Sequence, residues 1–152
     1  MSEVSEAIQA KCLAFGDRVI KLNDYLLKQA SMKYDVRGKI TSDSKHHTSD
    51  IQHHPSRVPL HLQAVATLAN QLLRSGTSIG ANNAEATNAI SKADFKSKSY
   101  IALKEARESL YWLELLHRNN YLTDIQFHSL YGDCEELVKV LTHRCKKLDG
   151  VE

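Results

Sequence analysis

Several residues of this 152-residue chain belong to types that bind or catalyse. Two histidine pairs, His46-His47 and His53-His54, have the composition of a transition-metal tract. A zinc site needs ligands held in fixed geometry. The stretch around the pairs, Ser31 to Pro59, is rich in Ser, Thr and Asp and contains both prolines, so it reads as a long polar loop. No metal is assigned to it. Glu114-x-x-His117 is one copy of the ligand pair that a di-metal bundle takes from each of two helices, and no second copy occurs. Ser42-Asp43-Ser44-Lys45 matches S-x-x-K by letters but lies in the polar loop without companion motifs, and there is no G-x-S-x-G. Cys12, Cys134 and Cys145 are widely spaced, without C-x-x-C. Each falls on an apolar helical stripe, where a free thiol packs as a small hydrophobe. No catalytic residue, metal or cofactor is assigned, and no enzyme activity is expected.

Charge offers more. Lys92, Lys96, Lys98 and Lys104, less Asp94, put a net +3 on Ala86 to Lys104. Lys139, Arg144, Lys146 and Lys147 put +4 on a run without an acid. Phosphate binding would use such residues. Helix-dipole complementation explains the basic end of a helix as well, and both readings stand. Tyr111, Trp112 and Tyr121 are candidates for base stacking, or for core and interface. Arg74, Asn82 and Glu85 lie in or beside a run of small residues, Ser75 to Ala84, while Glu105 and Glu108 share a helix face. Where small residues bring backbones close, such groups become partly buried and must be paired. An Arg74 bridge to Glu105 or Glu108, with Asn82 and Glu85 adding hydrogen bonds, would make an inter-helix or inter-subunit polar lock; a solvated face accounts for the same residues equally well, and both readings stand.

The elements that must position these groups are helical. Ile8, Cys12, Phe15, Val19, Leu22 and Leu26 mark one face of a first helix over Glu3 to Gln29, and Leu13, Ile20 and Leu27 widen it. Leu62, Val65, Leu68 or Ala69, Leu72, Ile79 and Ile90 mark a second stripe. Gly76, Gly80 and Ala84 recur every four residues, so a continuous helix would present them to a close neighbour. Phe95, Ser99, Ala102, Ala106, Leu113 and Leu116 make a third helix over Asp94 to Asn119. Thr123 to Gln126 fits a capping box opening a fourth, with Leu130, Cys134, Leu137, Leu141, Cys145 and Leu148 inward. No period-2 strand is sustained. The prediction is an all-α, antiparallel up-down four-helix bundle forming a single domain over 1–152, with a long loop at 31–59.

Composition agrees with a globular chain. Hydrophobic residues are 42%, charged residues 25%, and net charge is +2. That excludes wholesale disorder. Six Gly and two Pro are too few for a turn-rich sandwich. No signal-peptide pattern and no run of about 18 apolar residues is present. A reduced cytoplasm is the expected compartment.

The stretch Gln71 to Ala86, QLLRSGTSIGANNAEA, closely resembles the second-helix hallmark of small bacterial four-helix-bundle proteins encoded by intervening sequences within 23S rRNA genes. These are similar in turn to the accessory variability determinants of diversity-generating retroelements. Phe95, Ala102 to Glu108, and Tyr111 to Leu116 resemble the third-helix motif, and Leu13 to Leu22 the first. The resemblance covers roughly residues 10 to 30 and 62 to 148. It implies a ring-shaped homo-oligomer, a homopentamer in the relatives, with no enzyme activity. It further implies a basic surface that works with RNA and, in the retroelement relatives, a reverse transcriptase. Motif positions fall on Arg74, Ser78, Asn82, Glu85, Glu105 and Glu108, read as packing and assembly residues. Asn83 stands where the family pattern has an aliphatic residue, and the Ser31 to Pro59 excursion is longer than the usual link. The nucleic-acid-binding candidates are Lys92, Lys96, Lys98, Lys139, Arg144, Lys146 and Lys147.

Overall fold

The structure, a computed structural model, describes residues 3–40 and 60–150. They form four helices: α1 Glu3–Ile40, α2 Leu60–Thr87, α3 Lys92–Arg118 and α4 Asp124–Asp149. Among the described residues there is no strand. The histidine pairs and the Ser42 to Lys45 motif lie outside them.

The first helix runs to Ile40, ten residues into the stretch read as loop. Polar composition suggested loop, but Ser31 to Ile40 holds no proline and includes Met32, Lys33, Arg37 and Lys39, all good helix formers. Ser31 Oγ donates back to the Leu27 carbonyl at 3.0 Å and so sits on the helix without breaking it.

The stripes predicted from period 3.6 form the core. Ile8, Cys12, Phe15, Val19, Leu22 and Leu26 are buried from α1, with Val65, Ala69, Leu72 and Ile79 from α2. Ala102, Ala106, Leu113 and Leu116 join from α3, and Leu130, Cys134, Leu137, Leu141 and Cys145 from α4. Two expectations fail. Leu13 and Ile20 do not widen the inward face; they are 60% and 45% exposed, on the outer edge of α1. Ile90 is 95% exposed in the α2–α3 turn, because α2 stops at Thr87 and Ser91 caps the next helix by accepting from Asp94 N.

Gly76 to Asn83 is continuous helix. A Cβ on Gly76 would lie 3.1 and 3.2 Å from the Val19 methyls, and one on Gly80 would lie 3.4 Å from Cys12 Cβ. Glycine at position 76 lets α2 close on α1 where a Cβ would crowd the Val19 methyls, whereas at Gly80 a Cβ would make ordinary contact. Ser75, on the other flank, accepts a buried 2.9 Å hydrogen bond from Ser109 of α3. Higher α1 numbers meet lower α2 numbers, so these two helices run in opposite directions. The Thr123 capping box turns α3 into α4: Thr123 N donates to Gln126 Oε1 at 3.0 Å, and Gln126 N to Thr123 Oγ1 at 3.3 Å.

Candidate nucleic-acid interface

The predicted basic residues separate into two groups. Lys92, Lys139, Lys146 and Lys147 are exposed and make no ion pair with a described residue. Lys96 and Lys98 are engaged. Lys96 Nζ lies 2.7 Å from Asp149 Oδ1, which also accepts the Tyr100 hydroxyl through its other oxygen. The hydrogen bonds from Lys96 and Tyr100 hold the Asp149 carboxyl below its usual range. Lys98 pairs with Glu85, and that bond raises its ammonium pKa.

Arg144 differs from both. It is half-buried, and its Nη1 donates to Asn83 Oδ1 at 2.7 Å. Asn83 is wholly buried and donates through Nδ2 to Gln9 Oε1 at 2.5 Å. Gln9 Nε2 in turn reaches the Gly80 carbonyl at 3.4 Å. The guanidinium lies 5.7 Å from the Phe95 ring centre, within cation–π range. The Arg144–Asn83–Gln9 chain of hydrogen bonds, with Phe95 against the guanidinium, therefore joins all four helices. Burial lowers the Arg144 pKa, and its Nη2 is buried without a hydrogen-bond partner. Arg144 is a packing residue, not the outward phosphate contact its place in a basic run suggested.

The expected polar lock is likewise divided. Arg74 Nη2 stands 4.0 Å from Glu108 Oε1, with the arginine side chain 72% exposed, so the bridge is loose. Glu108 also accepts a 3.0 Å bond from Trp112 Nε1. Burial raises the Glu105 carboxyl pKa, Glu108 adds to that, and Arg74 and Lys104 oppose it. Asn82 does not cross to a neighbour; it donates to Ser78 O at 2.9 Å within α2. Glu85 serves Lys98 instead. The residue that locks the helices is Asn83. Its signal was present: it sits four after Ile79 and three before Ala86, on the buried line of α2, where a polar side chain must find partners.

Other sequence candidates are consumed by local contacts. Glu114 Oε1 pairs with Arg118 at 2.5 Å, and His117 Nε2 lies 2.8 Å from Asp124 Oδ1 while stacking on Phe127. The three cysteines are free and buried. Burial pushes the Cys134 thiol up to about 12, with Asp133 and Glu135 assisting. It pushes Cys12 up to about 11 against the opposing charge of Arg144. Tyr111 is 55% exposed and meets Trp112 edge-on at 4.9 Å, whereas Tyr121 is partly buried against the core. No described helix is long and apolar enough to cross a membrane.

Comparison with known proteins places this geometry. Residues 39–143 match the pattern of the 23S rRNA-intervening sequence proteins. The fold is similar to the crystal structure of a protein of unknown function from the S23 ribosomal protein family of Bacteroides thetaiotaomicron, with a TM-score of 0.70 and 34% identity. The likeness covers 94% of this chain and 98% of that one. No curated protein gives a significant match.

Proposed function

The chain belongs to the 23S rRNA-intervening sequence protein family, and on that premise we propose that it is a non-enzymatic cytoplasmic scaffold that associates with copies of itself and binds structured RNA through exposed lysines. The observation that carries the reading is the position of those lysines. Lys146 and Lys147 lie in the last turn of α4, where the helix dipole alone accounts for them. Lys139 lies ten residues before Asp149, beyond that dipole's reach. Lys92 opens α3, at the positive end of a helix, where a cation is disfavoured. The Lys96–Asp149 pair brings the start of α3 beside the end of α4, so Lys92, Lys146 and Lys147 share one end of the molecule. A polyanion gives all four lysines a common purpose.

Self-association is supported by a groove of about 290 Å³ between α1 and α2, floored by Gly16, Gly80 and Ala84 and rimmed by exposed Leu13 and Ile20. A repeated subunit would multiply the basic end and focus its potential. The test is the native mass of the purified particle with and without nuclease. A multiple of 17.1 kDa that loses bound RNA on nuclease treatment supports the proposal; a bare single chain with no affinity for RNA at low salt rejects it.

The same groove favours a second reading, a protein–protein adaptor such as an accessory subunit of a reverse transcriptase. Co-purification of one protein from nuclease-treated lysate, abolished by Leu13→Asp, would select it over the first.

A further inference from the structure

Helix α3 carries a pattern that neither core packing nor the four lysines above use. Lys96, Tyr100, Lys104, Arg107 and Tyr111 recur at spacings of four, four, three and four, so they share one face, turned away from buried Ala102, Ala106 and Leu113. Tyr100 and Tyr111 are 40% and 55% exposed. They stand eleven positions apart, about 16 Å along the axis. Lys104 and Arg107 stand between, exposed and without an ion pair to a described residue. Across the interface, Asp149 marks the edge of α4 that touches α3, through Lys96 and Tyr100. Lys146 and Lys139 lie about 60° and 80° round α4 from that edge, on the side away from buried Leu141 and Cys145. They continue the α3 face.

Two details suit this face to bases as well as phosphates. The Tyr100 hydroxyl is tied to Asp149, itself tied to Lys96, so the ring is held while a large part of it stays open. Beside Tyr111 lies a depression of about 180 Å³ bounded by Glu114, Leu115 and Arg118. Glu114 and Arg118 pair with each other at its rim, so the hydrogen-bonding capacity that pair leaves over faces a base resting on the ring. Cations alternating with open aromatic rings along a groove are the arrangement that holds single strands, because a duplex hides its base faces and a single strand does not.

We propose that the outer face of α3 and α4 binds unpaired nucleotides of RNA, with Tyr100 and Tyr111 stacking on bases and Lys104, Arg107, Lys139 and Lys146 meeting the phosphates. This rests on the RNA-binding reading above and names the part of the RNA recognised.

The test measures binding of the full chain to a fluorescent 20-nucleotide unstructured RNA and to a duplex of equal length, in low salt. The single strand is expected to bind more tightly. Tyr111→Ala should weaken it about tenfold, and Tyr111→Phe should retain wild-type affinity, since stacking needs the ring alone. Tyr100→Phe controls for loss of the Asp149 bond. Equal binding of duplex and single strand, unmoved by Tyr111→Ala, overturns this inference and leaves RNA binding standing. Failure to bind either RNA overturns both.

Discussion

Arg144 and Lys146 stand two residues apart on α4 and meet opposite environments. The arginine reaches inward to Asn83 and lies over Phe95, whereas the lysine is exposed with no acid among the described residues to hold it. The difference extends to the two regions they occupy. The inner region, where Gly76 and Asn83 of α2 meet α1 and α4, is tightly packed at Gly76 and has almost no spare hydrogen bonds. The outer region, on α3 and α4, has exposed lysines without an ion pair to a described residue and two exposed tyrosines, Tyr100 tied to Asp149 and Tyr111 set edge-on to Trp112. A basic run in a sequence is thus not a surface until its register is known. Position 144 falls on the half-buried side of the helix, one residue before the buried Cys145, and that decides its role.

The sharpest way to break this contrast is to fill the inner seam. Gly76→Leu sets a branched side chain where even a Cβ sits 3.1 Å from Val19. It should cost about 3 kcal/mol of unfolding free energy by overpacking, read from urea midpoints.

Asn83→Ala removes the acceptor of the Arg144 guanidinium and should cost about 2 kcal/mol, because a half-buried charge loses its partner. Adding Arg144→Met should recover part of that loss. Additivity of the two changes in a double-mutant cycle would deny the coupling.

Alkaline pH should loosen the inner region through its thiols. Cys12 and Cys134 are raised by burial from an ordinary 9.0 to about 11 and about 12. Between those values the folded chain keeps protons that the unfolded chain has released, so stability is complete below pH 9 and falls as pH rises above it. The loss should be about 1 kcal/mol for each thiol near pH 10, and Cys134→Ala should remove its share of the slope.

The smallest change has the opposite sign. Gly132 lies on the exposed face of α4, with nothing within 4 Å of an added Cβ. Gly132→Ala should therefore stabilise by about 0.7 kcal/mol through helix propensity alone. A glycine that stabilises on substitution and one that cannot tolerate it would separate the two regions by sign.

The inner region was largely legible in the sequence. Four apolar stripes at helical spacing, and small residues every four positions, are strong signals because burial enforces them. Leu13 and Ile20 lie outward: periodicity reports an apolar face without saying which side of it the bundle covers. Asn83 stands out in the sequence as a departure from the aliphatic residue of the family pattern, and such an interruption on a buried line is itself a demand for partners. Residues 31 to 40 read as loop on polarity, yet the absence of proline and the run of helix formers carry more weight. The outer face was harder, since a solvated helix face and a phosphate-binding one use the same lysines.

The salt dependence of RNA binding tests the central claim most directly, with wild type compared to the triple change Lys139→Gln, Lys146→Gln and Lys147→Gln. On a single strand each phosphate contact contributes about −0.7 to the slope of log affinity against log salt. The account predicts weaker binding at low salt and a slope shallower by about 2 in the triple variant. An unchanged slope and affinity would contradict it.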